Sequence, residues 1–347
     1  EPLGLSVAWL SGSQRKKAKA QNKAALSDGL IQIAVGTHAL FQDDVQFQNL
    51  GLVIVDEQHR FGVAQRLALK NKGADVHQLM MSATPIPRTL AMSFFADLDV
   101  SVIDELPPGR TPIKTRLVNS VRRSEVEGLV LGACRKGQQA YWVCPLIEES
   151  ETLQLQTATE TQAALQAALP ELSIGLVHGR MKAAEKAEVM AEFSAGRLNV
   201  LVATTVIEVG VDVPNAALMV IEHAERMGLA QLHQLRGRVG RGAAASACVL
   251  LFAEPLGDIA KARLKVIYEH TDGFEIARQD LNIRGPGEFL GARQSGVPML
   301  RFADLEEDLP LLEAARNIAP QLIDERPDIV DAHLARWLAS RESYLGV

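Results

Sequence analysis

Residues 52–60 read Leu-Val-Ile-Val-Asp-Glu-Gln-His-Arg, a run of four apolar residues followed at once by two carboxylates, an amide and an imidazole. Such a run is typical of a strand that is buried in a parallel sheet. In open parallel sheets, ligands bind beyond the carboxyl ends of the strands. An adjacent Asp and Glu at that position suit a hydrated Mg²⁺ ion and the orientation of a water molecule. The simpler alternative is that polar residues merely terminate a strand.

Short apolar runs recur along the chain and alternate with segments of helical length, which predicts an α/β fold with parallel sheets. The predicted strands are Leu5–Leu10, Ile31–Val35, Leu52–Val55, Gln78–Met81, Lys114–Val118, Gln139–Val143, Ile174–Val177, Asn199–Ala203, Ala217–Ile221 and Ala247–Phe252. The predicted helices are Ala158–Leu169, Ala183–Phe193, Ile259–His270, Leu305–Ile318 and Ile329–Ser340. After Phe252 the strand pattern stops, so the last part of the chain is predicted to be mainly helical.

A length of 347 residues exceeds what a single core usually serves, so we expect several domains. Three prolines and one glycine interrupt the pattern between Glu105 and Pro112. A linker is therefore predicted at residues 105–113. It separates a first parallel-sheet domain at 1–104 from a second at 114–254, and a helical region follows at 255–347.

The net charge of −6 gives no overall basic footprint, so any contact with nucleic acid has to be local. Candidate contacts are Arg15, Lys16, Lys17, Lys19, Arg236, Arg238, Arg241, Arg278, Arg284 and Arg293. The three cysteines are odd in number, widely spaced and set in apolar stretches, which predicts reduced thiols in the core. No apolar run has the length of a membrane span, and we expect a soluble, cytoplasmic protein.

Three further stretches follow residues 52–60 in a fixed order. They read Ser82-Ala-Thr-Pro-Ile-Pro-Arg-Thr89, Val202-Ala-Thr-Thr-Val-Ile-Glu-Val-Gly-Val-Asp212 and Gln234-Leu-Arg-Gly-Arg-Val-Gly-Arg241. With Asp56-Glu-Gln-His59, this series resembles motifs II, III, V and VI of superfamily 2 helicases and translocases. Gly36-Thr-His-Ala39 looks like their motif Ib. The resemblance implies two RecA-like motor domains, of which we expect the first to be truncated, with ATP and Mg²⁺ as cofactors.

Motifs II and III would carry hydrolysis and its coupling to movement. Asp56 is the candidate Mg²⁺ partner, and Glu57 is the candidate general base. The neighbouring His59 is either a coupling residue or an ordinary structural partner of a carboxylate. Ser82 and Thr84 would bridge to the carboxylates, although they could equally cap the next helix.

Motif VI supplies the arginine-finger candidates. Arg238 and Arg241 lie three residues apart and would project to one side if the segment were helical. Gln234 is a candidate nucleotide sensor, whereas Arg236 is expected to face DNA or solvent. A basic surface helix is the alternative, but Gly237, Gly240 and Gly242 favour close backbone approach.

Motifs V and Ib would contact DNA and nucleotide. The threonines and the histidine that follow apolar strands are candidates for the DNA backbone, where contacts fix position without reading sequence. These are Thr37, His38, Thr204 and Thr205. Gly210 and Asp212 are the candidate nucleotide-binding residues of the second domain.

Within superfamily 2 the sequence is most similar to the RecG family. The stretches that carry this likeness are Asp56-Glu-Gln-His-Arg-Phe-Gly-Val63, Ala83-Thr-Pro-Ile-Pro-Arg-Thr-Leu-Ala91, Asp104-Glu-Leu-Pro-Pro-Gly-Arg-Thr-Pro112, Val177-His-Gly-Arg-Met181 and Arg284-Gly-Pro-Gly-Glu-Phe-Leu-Gly291. The last resembles the TRG motif, which couples motor closure to translocation on duplex DNA. By this resemblance, we assign the coupling role to Arg278, Arg284, Arg293 and Gln294. The transcription-repair coupling factor Mfd, which shares the motif, is the close rival.

The family resemblance implies a monomeric enzyme that acts on branched double-stranded DNA at forks and Holliday junctions, with single-stranded DNA-binding protein as a partner. No Gly-x-x-x-x-Gly-Lys-Ser/Thr phosphate loop occurs in the sequence, and the family's wedge domain is not recognised in it. We therefore expect a fragment that is deficient in ATP hydrolysis by itself. Two alternatives are a non-enzymatic duplex DNA-binding module and an inert interaction fragment.

Overall fold

The structure is a computed structural model. It describes residues 4–12, 14–57, 61, 65, 68–69, 71–82, 99–103, 105, 110, 112–144, 151–204, 213–240, 242, 245–284 and 309–338. The chain divides into two compact units. The first comprises Glu1–Ala83 together with Glu313–Val347, and the second comprises Thr84–Leu312. The finer domain boundaries set out above stay predictions.

The first unit contains two pairs of parallel strands. Its elements are β1 (Val7–Leu10), α1 (Lys16–Ser27), β2 (Ile33–Gly36), β3 (Leu52–Val55) and β4 (His77–Met80). Strand β1 pairs with β2, and β3 pairs with β4. Small apolar clusters pack against one face of each pair, centred on Leu10 and Leu26 in the first and on Val53 and Val55 in the second.

Strand β3 is less buried than its apolar sequence predicts. Val53 and Val55 are buried, but Leu52 and Ile54 are each 56% exposed. Successive side chains of a strand point to opposite faces, so only one face of this pair is covered by the described residues. The expectation of a strand buried on both faces is therefore wrong for the described part of this unit.

The second unit is built on one six-stranded sheet in which every pairing is parallel. Its strands are β5 (Lys114–Asn119), β6 (Gln139–Val143), β7 (Ile174–Val177), β8 (Val200–Ala203), β9 (Ala216–Ile221) and β10 (Ala247–Phe252). They lie in the order β5-β10-β9-β6-β8-β7. The predicted α/β class with parallel sheets is confirmed.

Helices cover both faces of this sheet. They are α2 (Arg123–Cys134), α3 (Glu151–Ala168), α4 (Ala183–Ser194), α5 (Leu229–Arg236), α6 (Asp258–Glu269) and α7 (Gly273–Arg284). One apolar cluster joins α2 and α3 to the sheet around Trp142. The other joins α4, α5, α6 and α7 to the opposite face around Met219. Burial on both faces explains why these strands are apolar at nearly every position.

Two more helices, α8 (Leu309–Glu325) and α9 (Pro327–Leu338), follow late in the chain. The described region after Phe252 is mainly helical, as predicted, with connections at residues 253–257, 270–272 and 326. Helices α1, α2, α5 and α7 were not predicted. In α1 and α2, charged residues are interspersed among short apolar stretches, so the hydrophobic periodicity is weak.

The cysteines confirm the prediction of reduced core thiols. Cys134, Cys144 and Cys248 are all free and buried. Burial raises the pKa of Cys134 to about 11 and the pKa of Cys144 and Cys248 to about 12, which makes all three poor nucleophiles. None of the helices in the described part of the chain is long and apolar enough to span a membrane.

Arg236 does not face DNA or solvent, and that expectation is wrong. Its side chain is buried at 3% exposure, and Nη1 donates to the carbonyl oxygens of Ile267 at 2.7 Å and His270 at 2.9 Å. The same nitrogen donates to Thr115 Oγ1 at 3.2 Å. The carbonyl groups at the end of a helix lack partners within the helix and attract positive charge. Arg236 therefore ties α5 to the end of α6 and to β5.

We predict that Arg236→Met lowers the free energy of unfolding by about 3 kcal/mol, because buried carbonyl groups lose their donor. Urea unfolding followed by circular dichroism measures the change. The control is Arg135→Met, which removes an exposed ion pair with Glu171 and should cost no more than about 1 kcal/mol. Equal losses in the two variants would contradict the structural role of Arg236.

Candidate active site

The two carboxylates of motif II follow β3 directly. The Asp56 side chain is exposed, and its Oδ1 accepts a hydrogen bond of 2.9 Å from the Glu57 amide. Glu57 has a φ of 52°, which is the left-handed region that a residue with a side chain rarely adopts. The chain therefore turns sharply between them. As a result Asp56 faces solvent, while the Oε2 atom of Glu57 is buried.

Ser82 follows the end of β4, which is the strand that pairs with β3. Val55 pairs with Met80, and the Met81 amide donates to the Val55 carbonyl oxygen at 2.8 Å. Ser82 therefore follows the end of β4, and Asp56 follows the end of the neighbouring β3. The structure therefore brings the described residues of motifs II and III together at one sheet edge. Gln58, His59 and Thr84 lie outside the described residues.

Motif Ib follows β2, where two strand ends converge. The Thr37 amide donates to the Leu10 carbonyl oxygen at 3.1 Å. A Cβ atom on Gly36 would lie only 2.2 Å from the same oxygen, so this position requires glycine. The side chains of Thr37 and His38 are exposed.

An aromatic cluster links motif Ib to the segment after motif II. The His38 ring lies 4.9 Å from the Phe61 ring and 5.9 Å from the Phe41 ring, and the two phenylalanine rings are 4.9 Å apart. These aromatic contacts hold the end of β2 against the chain that leaves β3. Phe61 belongs to one of the quoted motifs, but its contacts with His38 and Phe41 were not predicted, because nothing in the sequence pattern indicates these partners.

In the second unit, α5 carries Gln234 and ends at Arg236. Arg238 lies in the turn that follows α5, and its backbone amide donates to the Leu235 carbonyl oxygen at 3.0 Å. Gly240 then adopts a φ of 77°. The helix therefore does not continue through Arg238. A continuous helix was the condition for Arg238 and Arg241 to project to one side, and it is not met. Arg241 lies outside the described residues.

Arg110 supports this turn from the segment before β5. Its Nη2 donates to the carbonyl oxygens of Gly237 at 2.9 Å and Val239 at 3.5 Å. Sequence reasoning treated Arg110 only as part of a linker. The signal available was its place in the Pro-Pro-Gly-Arg stretch, but the pattern could not show a contact 127 residues away.

Glycines allow close packing at two of the three predicted positions. A Cβ atom on Gly240 would lie 3.0 Å from the Ile113 side chain. One on Gly242 would lie 2.3 Å from the Pro214 carbonyl oxygen. At Gly237 the nearest atom would be 3.4 Å away, which is an ordinary contact. The prediction of close approach is confirmed at Gly240 and Gly242 but is wrong at Gly237.

Motif V is described only at its start. Thr204 follows β8, is 4% exposed, and its amide donates to the Val177 carbonyl oxygen at 3.3 Å. Thr205, Gly210 and Asp212 lie outside the described residues. The DNA-binding role of the threonines and the nucleotide-binding role of Gly210 and Asp212 stay predictions.

The candidate coupling residues begin on α7, which packs directly against α5 and α6. Arg278 is exposed and forms an ion pair of 2.7 Å with Glu275 one turn earlier. Arg284 is the last residue of α7, and its side chain is not described. Arg293 and Gln294 lie outside the described residues. Packing of α7 on α5 places the start of the segment that carries the coupling candidates against the motif VI helix.

The donor set at motif II fits a magnesium ion better than a tightly ligated transition metal. No group of three or more His, Cys, Asp or Glu side chains converges among the residues that the structure describes. Mg²⁺ keeps most of its water and usually binds proteins through one or two carboxylates. An exposed Asp56 at a strand end meets that requirement.

His233 sits beside Arg236 on α5 and is held neutral. Burial, reinforced by the Arg236 charge, lowers the pKa of His233 to about 4. Its Nδ1 lies 3.0 Å from Arg236 Nη2, so the neutral ring accepts the guanidinium hydrogen bond. Protonation would remove the acceptor and place two positive charges in contact.

Three family models match the chain. The DEAD/DEAH box helicase model matches residues 1–93, and the helicase conserved C-terminal domain model matches residues 123–243. The model for domain 3, C-terminal, of the ATP-dependent DNA helicase RecG matches residues 270–337. The three models match successive parts of the chain, in the same order as the motifs quoted from the sequence.

Curated relatives match almost the whole chain. ATP-dependent DNA helicase RecG of Acidithiobacillus ferridurans is 57% identical over 344 residues, which are 99% of this chain and 50% of that protein. RecG of Escherichia coli K12 is also 57% identical, with the same two shares. RecG of Thermotoga maritima is 53% identical over 91% of this chain and 40% of that protein. The chain thus spans about half the length of the first two relatives.

Solved structures agree with this likeness. A structure of RecG bound to a three-way DNA junction has a TM-score of 0.67 and 49% identity, and it covers 89% of this chain and 40% of that chain. The DNA-bound DUF1998 helicase MrfA has a TM-score of 0.58 at 14% identity, over 83% of this chain and 45% of that chain. The second likeness shows a shared fold alone.

The depressed pKa of His233 predicts a pH dependence of stability. Because the folded-state pKa lies below the ordinary value of 6.5, the stabilisation is fully present above pH 6.5 and is lost as the pH falls toward 4. The loss should total about 3 kcal/mol. We predict that His233→Gln, which keeps an acceptor but cannot titrate, flattens this part of the profile in urea unfolding. The exposed His77→Gln should keep the wild-type slope. An unchanged slope in His233→Gln would contradict the assignment.

Proposed function

Because this chain belongs to the RecG family of ATP-dependent DNA helicases, we propose that it is the motor portion of a double-stranded DNA translocase. Its substrates would be branched DNA, namely stalled replication forks and Holliday junctions, and its role would lie in DNA repair and recombination. The observation that carries the proposal is the position of Asp56 and Glu57 at the carboxyl end of a parallel strand, whose neighbour in the sheet leads into Ser82. The relatives reported above are all RecG helicases, which disfavours the Mfd alternative.

The proposed chemistry assigns separate tasks to the two carboxylates. Asp56 would hold Mg²⁺ through water, since its side chain is exposed and one oxygen already accepts the Glu57 amide. Mg²⁺-bound ATP would supply the phosphoryl group and part of the charge neutralisation that hydrolysis needs. Glu57 would orient the attacking water and take its proton. The left-handed backbone at Glu57 gives the two adjacent carboxylates different surroundings, an exposed Asp56 and a partly buried Glu57.

Arg238 would supply positive charge to the phosphoryl group that is transferred. Its backbone is held by the amide contact to Leu235 and by Arg110, which binds the carbonyl groups on either side of it. A fixed turn suits an arginine finger, because a preorganised charge loses little entropy when it acts. Gln234, one turn earlier on α5, would sense the nucleotide.

Coupling to DNA movement would pass from α5 to α7. Helix α7 packs on α5 and carries Arg278, and it leads into Arg284, Arg293 and Gln294. Thr37, His38, Thr204 and Thr205 would contact the DNA backbone. His59, Ser82 and Thr84 would link the carboxylates to these contacts, and Gly210 and Asp212 would meet the nucleotide. A monomeric state and a single-stranded DNA-binding protein partner remain part of the proposal.

A hybrid protein tests the function directly. In it, this chain replaces the matching part of Escherichia coli RecG, which is 57% identical. We predict that forked DNA stimulates ATP hydrolysis by the hybrid, whereas the 347-residue chain alone stays at background because its sequence has no Gly-Lys phosphate loop. Glu57→Gln should lower hydrolysis by the hybrid about 100-fold or more.

The matched control is Glu188→Gln, which alters an exposed carboxylate on α4. It should leave the fork-stimulated rate unchanged. A folded hybrid that binds forks without hydrolysing ATP would refute the motor assignment and favour a duplex DNA-binding module. A hybrid that neither binds nor hydrolyses would favour the interaction fragment.

Arg238→Ala in the same hybrid should lower kcat about 1000-fold with little change in the KM for ATP, since a finger acts chiefly on the transition state. Steady-state hydrolysis on forked DNA gives both constants. Arg135→Ala, at an exposed ion pair on the second unit, serves as the control and should behave as the unsubstituted hybrid. If Arg238→Ala raised KM and left kcat intact, its role would be ground-state binding instead.

A further inference from the structure

A groove runs along one edge of the six-stranded sheet and is used by none of the residues discussed for ATP hydrolysis or DNA binding. Strand β5 ends the strand order, so its outer edge pairs with no other described strand. The groove has a volume of about 800 Å³. Its floor is residues 113–118, one wall is the first half of α2, and the other is the end of α6.

The edge of β5 offers hydrogen bonds in a regular pattern. The Lys114 amide donates to the Ser246 carbonyl oxygen, and Lys114 pairs with Ala247 of β10. In a parallel ladder, alternate residues direct both their N–H and C=O groups to the same side. Lys114 and Arg116 therefore bond to β10, whereas Thr115 and Leu117 direct their N–H and C=O groups into the groove. An extended chain that lay there would meet two donors and two acceptors.

The walls of the groove carry exposed apolar side chains among charged ones, and its floor is basic. Leu129 on α2 is 42% exposed, and Tyr268 on α6 is 55% exposed. The exposed side chains of Lys114 and Arg116 stand along the strand itself. The Arg122 charge is balanced by an ion pair of 2.7 Å with Glu125. The unbalanced charge on the strand is thus positive, and the surface beside it suits apolar side chains.

We propose that this edge of β5 binds an extended segment of a partner protein in which acidic and apolar side chains alternate. The segment would add to the sheet as a seventh strand. Its backbone would pair with Thr115 and Leu117, and its carboxylates would meet Lys114 and Arg116. Its apolar side chains would point to the opposite face and pack on Tyr268 of α6. This proposal does not depend on the motor function.

Two other occupants fit less well. A second copy of the chain would bring Lys114 and Arg116 against the same basic side chains, and charged residues on an exposed edge are known to oppose such self-pairing. Nucleic acid is the other alternative, and its phosphate groups offer hydrogen-bond acceptors but no donors. The backbone donors and acceptors of β5 match those of a peptide, not those of a phosphate backbone.

The test is a selection on the whole 347-residue chain from a displayed library of random peptides of about nine residues, which is longer than a typical strand. We predict that the recovered sequences alternate Asp or Glu with Val, Ile, Leu or Phe. Synthetic copies should bind the wild-type chain at least about tenfold more tightly than the double variant Lys114→Glu/Arg116→Glu in fluorescence anisotropy. The control Arg135→Glu/Lys136→Glu, at the other end of α2, should bind like wild type. Circular dichroism shows whether each variant is folded.

A second measurement tests strand pairing itself. Two sets of peptides are N-methylated at alternate residues, one set at the odd positions and the other at the even positions. Each set loses the N–H donors on one edge of the peptide only. The set that loses the donors facing β5 should bind about tenfold more weakly, and the other should bind normally. Equal effects of the two sets, equal binding to the double variant, or no enrichment of alternating sequences would overturn the proposal. It would also be overturned if the double variant lost affinity for a short DNA duplex while the peptides bound neither protein, since that outcome identifies a nucleic-acid site.

Discussion

The parallel sheet of the second unit depends on burial of both of its faces. Apolar side chains from α2 and α3 cover one face, and those from α4 to α7 cover the other, so the strand interiors have no room for polar groups. Polar residues are therefore restricted to strand ends and edges. Thr204 follows β8 for this reason, and the only basic residues within the strands of this sheet, Lys114 and Arg116, lie on the edge strand β5.

The motif VI turn is held by two arginines that do no chemistry themselves. Arg236 is buried and joins α5 to the end of α6 and to β5, while Arg110 binds the carbonyl groups around Arg238. Each replaces hydrogen bonds that the backbone loses where a helix ends. The proposed arginine finger is thus supported by contacts from segments that are far apart in sequence, which fixes its backbone before any ligand binds.

The first unit positions its candidate residues by a different means. Its strands are short, and one face of β3 is exposed, so packing contributes less to the position of Asp56 and Glu57 than it does to the strands of the second unit. The left-handed Glu57, the glycine at the meeting of β1 and β2, and the His38–Phe61–Phe41 cluster set the local geometry instead.

Sequence alone determined the α/β class, most strand positions, the reduced cysteines and the order of the motifs, because apolar runs and polar strand ends are local patterns. Tertiary structure decided the role of Arg236, since an arginine in a basic motif looks the same whether it meets phosphate or the end of another helix. It also decided the contact of Arg110 with the motif VI turn and the meeting of His38 with Phe61. Those contacts join residues that are distant in sequence, and only packing selects which distant partners meet.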